Sequence, residues 1–315
     1  MPTLGVIGGS GLYDIEQLAN VQLVNVDTPY GSPSAPVTVG SLGSIEIAFI
    51  PRHGVGHPLT PTEVPYQANV HALRQLGVTH LLSISAVGSL TERYPPLTLV
   101  CPGQIIDRAV FRNRTFFDRG VVAHVGLADP FCGSFIRTII DRAATAGVTI
   151  EDGGTYVCIE GPQFSTKAES NLYRSWGASV IGMTAMPEAR LAREAELCYA
   201  QISMVTDFDV WHESEEPVTV ETVIRNLHAN SAAAKQVLVA LASADLPDRS
   251  ACSCATALEN AIVTNPSAIP HETRARIVAH FGSEDAVDRI VRDWALPDEI
   301  KVCGINVDDD DEDEI

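Results

Sequence analysis

Asp207 and Asp209 stand one residue apart in the stretch VTDFDVW, walled by valine, phenylalanine and tryptophan. They follow the apolar run CYAQISMV, residues 198–205. Charge beside so much apolar surface is costly unless something binds it. If the strand continues, its alternation points both acids to one side. Two neighbouring carboxylates in a partly apolar cleft cannot both ionise cheaply, so one is expected to hold a proton at neutral pH. A protonated acid beside a carboxylate can donate to one heteroatom and accept from an amino group. The N7 and 6-amino edge of adenine asks for that pattern. Capping of the following turn, or a surface salt bridge, is the plainer reading of the same pair.

A second group of polar residues suits an anion. Ser10 lies in Gly8-Gly9-Ser10-Gly11 after a short apolar run, where backbone N–H groups and a hydroxyl can cradle phosphate. A tight turn is the alternative. Arg52-His53 follows another strand, and a guanidinium fork with an imidazole suits an oxyanion as well as it suits a surface pair. Ser85-Ala86-Val87-Gly88-Ser89 and Met183-Thr184 also close apolar strands with small hydroxylated residues. Together these clusters fit inorganic phosphate held without a metal. The glycines starting at Gly9 miss the G-x-G-x-x-G spacing, because Asp14 falls on its last position, and no Walker lysine motif occurs. HGVGH, residues 53–57, lacks the glutamate of a zinc helix.

The elements that must position these groups alternate. Apolar runs at 3–7, 45–50, 80–84, 155–159, 179–181 and 198–205 read as strands. Helical spacing appears at 66–76, 134–146, 172–176, 187–196 and 220–242. Strand, polar loop and helix in repetition predict an α/β fold with a mixed, mostly parallel central sheet flanked by helices. Ligands of such sheets bind beyond the carboxyl ends of the strands, where the polar clusters fall. From about residue 246 the character changes to prolines, a Cys252-Ser-Cys254 triplet and a helical pattern over 271–294. The expected division is a catalytic domain over 1–245 and an extension over 246–315 with helices and a disordered acidic tail.

The chain has 315 residues and a net charge of −19. Residues 246–315 contribute −10 of this (sixteen acids against six bases), and Asp308–Glu314 is unbroken acid. Such charge repels phosphate backbones and anionic lipid, which argues against nucleic-acid and membrane partners. No apolar stretch is long enough for a membrane span, and the N-terminus lacks signal-peptide features, so a cytoplasmic location is expected. The seven cysteines are expected to be mostly buried free thiols. Cys252 and Cys254 are the exception. They read as a zinc half-site with no evident second half, or as a redox or structural disulfide.

IGGSGLYD, PYG, PRHG, YQAN, SAVGSL, ADPFC, IEGPQFSTKAES, MTAMPEARLARE and CYAQISMVTDFDVW occur in that order over roughly residues 1–242. In these motifs the chain resembles the trimeric purine nucleoside phosphorylases, in their methylthioadenosine-cleaving branch. The resemblance implies the phosphorylase/hydrolase-like fold and a pentosyltransferase that uses inorganic phosphate as co-substrate, with no cofactor and no metal. It implies that Ser10, Arg52, His53, Ser85, Ala86 and Thr184 hold phosphate. It implies that Met183 packs on the ribose, that Phe164 and Ser165 line the base side, where Asp207 and Asp209 grip adenine, and that Phe208 also binds substrate. His124 would reach a neighbouring subunit's site. Val220 and Val223 would form the 5′-methylthio pocket. A homo-oligomer, trimer or dimer of trimers, is implied. Gly182 departs from the asparagine that many adenine-specific relatives carry before Met-Thr. It resembles branches acting on 6-oxopurine nucleosides or methylthioinosine, which is the alternative activity; a purine-binding scaffold is the non-enzymatic one.

Overall fold

The computed structural model describes residues 3–9, 17–212 and 220–291. Strand β5 (His80–Ser89) organises the sheet, because it is long enough to serve three neighbours. It pairs in parallel with β1 (Leu4–Gly8) along its first half and with β11 (Cys198–Asp207) from His80 to Gly88. At Gly88 and Ser89 it pairs antiparallel with β10 (Val180–Gly182). β1 continues in parallel to β4 (Ile45–Pro51), and β10 continues in parallel to β9 (Thr155–Cys158). The central strands are covered on both faces, so they read as unbroken apolar runs rather than alternating ones; all five residues of β1 are buried.

The remaining strands lie toward the edges. β2 (Ala19–Val24) and β3 (Val37–Leu42) extend the β4 side as an antiparallel meander. β6 (Leu99–Cys101) joins β11, β7 (Gln104–Asp107) joins β9, and β8 (Ile150–Asp152) joins β6. Six of these ten described pairings are parallel.

Helices α1 (Tyr66–Gln75), α2 (Gly133–Thr145), α3 (Lys167–Ser175), α4 (Ala185–Glu194) and α5 (Val220–Leu241) flank the sheet. α3 begins five residues before the expected 172, because Thr166 and Glu169 form a reciprocal capping box. Met186 has non-helical dihedrals, so regular α4 starts at Pro187. The 271–294 pattern resolves into α6 (His271–Phe281) and α7 (Glu284–Val291), parted at Gly282 in the left-handed conformation (φ 86°). Their Ile277, Phe281, Val287 and Ile290 join the same apolar core as the sheet. The acidic run 308–314 lies outside the described residues.

Candidate active site

Beyond the strand ends lies a cavity of about 620 Å³. Its size is in the range of small-molecule sites. Gly9 follows β1, Arg52 and His53 follow β4, and Ser85 to Gly88 come from the second half of β5. Gly182 ends β10 and Met183 and Thr184 follow it, while Thr206 and Asp207 close β11 and Asp209 follows in the next turn. Phe164 and Ser165 enter from the loop before α3, and Val223, Ile224 and Leu227 form a wall from α5.

At the acid end, the ladder between β5 and β11 slips by one residue between Val205 and Asp207. This bulge leaves Thr206 unpaired and re-aims the residues after it. The Thr206 hydroxyl reaches Asp207 Oδ2 at 2.7 Å, and Asp207 Oδ1 accepts from the Asp209 backbone N–H at 2.8 Å. Asp209 therefore does not extend the strand, as its sequence alternation suggested. It sits in a turn with φ 53°, which brings it back beside Asp207. A Cβ at Gly88 would stand 3.1 Å from Asp207 Oδ1 and 3.3 Å from Asp209 Cβ, so both acids close over one glycine. Ser165 Oγ lies 3.1 and 3.0 Å from the two Asp209 carboxylate oxygens. Burial raises the pKa of both acids, and the Asp207 charge raises that of Asp209 further.

Two asparagines one helical turn apart on α5 fix this end. Asn226 Nδ2 donates to the Thr206 carbonyl at 2.6 Å, and Asn230 Nδ2 donates to the Val205 carbonyl at 2.8 Å. They satisfy carbonyls at the disrupted ladder. Their i, i+4 spacing was legible, but nothing in the sequence said which strand they would meet.

At the other end, Arg52 is fully buried and its fork is bidentate to Glu188, with Nε–Oε1 2.5 Å and Nη2–Oε2 3.2 Å. Burial works against the Arg52 charge, and the Glu188 carboxylate more than offsets it, holding the guanidinium above its ordinary pKa. Arg52 thus stands as half of an internal ion pair as well as a cavity wall. Glu188 was not singled out from sequence, since a glutamate in the first turn of a helix usually faces solvent. His53 Nδ1 lies 2.9 Å from the Leu59 carbonyl, and its ring stacks on His57 at 4.2 Å. Burial and the adjacent Arg52 charge push its pKa down to about 4. The ring is neutral at pH 7, and because Nδ1 must donate to a carbonyl, Nε2 is an acceptor.

Thr184 Oγ1 is buried without a partner, which is costly unless a ligand completes it. Ser85 Oγ accepts from Gln201 Nε2 at 3.0 Å, leaving its own proton to donate elsewhere.

The structure brings together Arg52, His53, Ser85, Ala86, Phe164, Ser165, Met183, Thr184, Asp207, Asp209 and Val223 around one cavity. Phe208 is not among its walls; its ring lies on His212 at 4.6 Å. His124 is exposed, away from this cavity, and its backbone N–H donates to the Ala261 carbonyl. Ser10 and the side chain of Val220 lie outside the described residues.

A cleft at the strand ends of a mostly parallel sheet, polar at one end and acidic at the other, defines an α/β enzyme of small polar ligands. The chain belongs to the phosphorylase superfamily, whose sequence profile matches residues 3–243. It is 50% identical over 287 residues to an S-methyl-5′-thioadenosine phosphorylase of Koribacter versatilis, covering 90% of this chain and 98% of that one. It is also 50% identical to that of Geobacter sulfurreducens over 281 residues, 89% of this chain and 98% of the relative. Among solved structures, a methylthioadenosine phosphorylase from an antarctic soil metagenomic library matches with a TM-score of 0.82 at 45% identity, covering 89% and 98% of the two chains. The Schistosoma mansoni methylthioadenosine phosphorylase in complex with adenine matches at 0.75 with 35% identity, covering 77% and 91%.

Proposed function

We infer that the chain catalyses phosphorolysis of 5′-methylthioadenosine, giving adenine and 5-methylthioribose 1-phosphate. The observation that carries this reading is the acid pair with raised pKa values, which shares one cavity with an unpartnered Thr184 hydroxyl. Phosphate lies against Arg52, His53, Ser85, Ala86 and Thr184. A phosphate P–OH donates to His53 Nε2, and Ser85 and Thr184 donate to phosphate oxygens. Phosphate attacks C1′ as the glycosidic bond breaks, and its negative charge offsets the positive charge growing on the sugar. The leaving purine gains electron density, and the protonated member of the Asp207–Asp209 pair relieves it at N7. General-acid help of this kind is worth roughly 10²–10⁴-fold.

Ser165 holds Asp209 in place, Met183 packs on the ribose, and Phe164 covers the base from the cavity mouth. The apolar α5 wall at Val223 takes the methylthio group. The reaction asks for no cofactor beyond inorganic phosphate. Residues 1–245 form the catalytic domain in this reading, and 246–315 its extension. Exposed His124 serves the site of a second copy in a homotrimer, and the enzyme works in the cytoplasm. Among the described residues, no helix is long and apolar enough to cross a membrane.

Gly182 favours a second reading, phosphorolysis of 6-oxopurine nucleosides or methylthioinosine. One competition assay decides between them. Methylthioadenosine, methylthioinosine, inosine and guanosine are offered together with phosphate. Fastest release of adenine supports the first reading, and fastest release of hypoxanthine or guanine supports the second. No phosphate-dependent release of any base overturns both.

A further inference from the structure

The second half of the CSC motif lies elsewhere in the chain. The Sγ atoms of Cys132, Cys198, Cys252 and Cys254 all lie within 4.8 Å of one another. Cys198 Sγ and Cys252 Sγ are 3.6 Å apart. Four thiolates around a tetrahedral zinc at about 2.3 Å would be separated by about 3.8 Å, so a small contraction completes the polyhedron. All four are free thiols. We propose that these four cysteines form a structural zinc site that clamps the C-terminal extension onto the sheet.

Each ligand is placed by a different element. Cys132 is the N-cap of α2, where the helix terminus favours a thiolate, and its backbone N–H donates to the Tyr199 carbonyl at 2.7 Å. Cys198 opens β11, the strand that carries the acid pair at its other end. Cys252 follows the short 3-10 turn Arg249–Ala251, and Cys254 begins the next, Cys254–Thr256. Cys132, Cys198 and Cys254 are buried, and Cys252 is half-buried. Zinc displaces four thiol protons to solvent and leaves a cluster of net charge −2. The buried Arg193 guanidinium, with Nη1 3.7 Å from Cys254 Sγ, supplies a compensating positive charge. Cys252 gives up a weak thiol contact to the Arg249 carbonyl (3.4 Å) on binding. A closed tetrathiolate leaves no open position for substrate, so the site is structural rather than catalytic.

The test is metal content of the full chain, purified under reducing conditions from cells supplied with zinc. The expected result is about one zinc per chain, released when an organomercurial titrates the four thiols, and falling to below about a tenth in Cys252→Ser/Cys254→Ser. Cys101→Ser and Cys158→Ser keep the metal. Because the double variant can fail to fold, cobalt-loaded wild type gives an independent readout: intense thiolate-to-metal charge-transfer bands and tetrahedral d–d bands. Wild type without bound zinc or a cobalt–thiolate spectrum overturns the proposal. So does non-reducing peptide mapping that finds the four sulfurs joined as two cystines in the freshly isolated protein.

Discussion

A Cβ on Gly182 would run into the Tyr156 hydroxyl, with the ring Cζ only 2.7 Å away. Tyr156 is fully buried, and its hydroxyl accepts from the Thr184 backbone N–H at 3.4 Å. The tyrosine occupies the room that a side chain at 182 needs. This gives the glycine before Met-Thr a packing cause, separate from any preference for the base. Gly182→Ala should destabilise the fold by about 1–3 kcal/mol through overpacking. The same change in a Tyr156→Phe background, where the hydroxyl is gone, should cost less. Urea unfolding of the four proteins measures the coupling, and strictly additive costs would refute it.

Asp209→Asn should lower kcat on methylthioadenosine by roughly 10²–10⁴-fold, while KM for phosphate stays within a few-fold. Ser165→Ala, which only loosens Asp209, should cost far less. Steady-state kinetics with each substrate varied in turn separates these effects. A phosphate KM that moves as much as kcat would take the proton-donor role away from the pair.

Glu188→Gln leaves the Arg52 charge buried beside a neutral amide. The expected loss is about 3–5 kcal/mol, the usual cost of breaking one side of a buried ion pair. Inorganic phosphate should recover more stability in this variant than in wild type, because an unpaired guanidinium gains more from an anion. Thermal unfolding with and without phosphate gives both numbers. Equal phosphate stabilisation in the two proteins would place Arg52 out of the anion's reach.

Glu194 accepts from Phe116 N–H and Thr115 Oγ1, both at 2.7 Å, and burial pushes its pKa up to about 7. Between its ordinary value near 4.5 and 7, the folded state holds a proton that the unfolded state has lost. Its contribution is therefore fully present below 4.5 and is lost as pH rises through 7. Glu194→Gln removes this dependence. Relative to wild type, the variant should gain up to about 3 kcal/mol between pH 5 and pH 8. Guanidinium unfolding at the two pH values reads the difference, and a flat difference would contradict the raised pKa.

The strand ends were legible because buried parallel strands announce themselves as apolar runs, and β1, β4, β5, β9, β10 and β11 all did. β2 was not, since all but its last residue is exposed and so carries no burial signal. β6 and β8 are three residues each, too short for a period. The acids, the Arg-His pair and the hydroxyls at strand ends could be named because their types are chemical. Their partners could not: Glu188, Tyr156, Asn226 and Asn230 come from helices or other strands, and only the fold decides whom they meet. Cys132 and Cys198 stayed hidden from the CSC motif for the same reason.

In the proposed reaction the acid pair delivers a proton to N7 of the departing purine. The most direct measurement compares methylthioadenosine with its 7-deaza analogue, whose carbon at position 7 has no lone pair to protonate. The analogue should bind as a competitive inhibitor yet release base at least about 10²-fold more slowly in saturating phosphate. Release from both compounds at similar rates would contradict it.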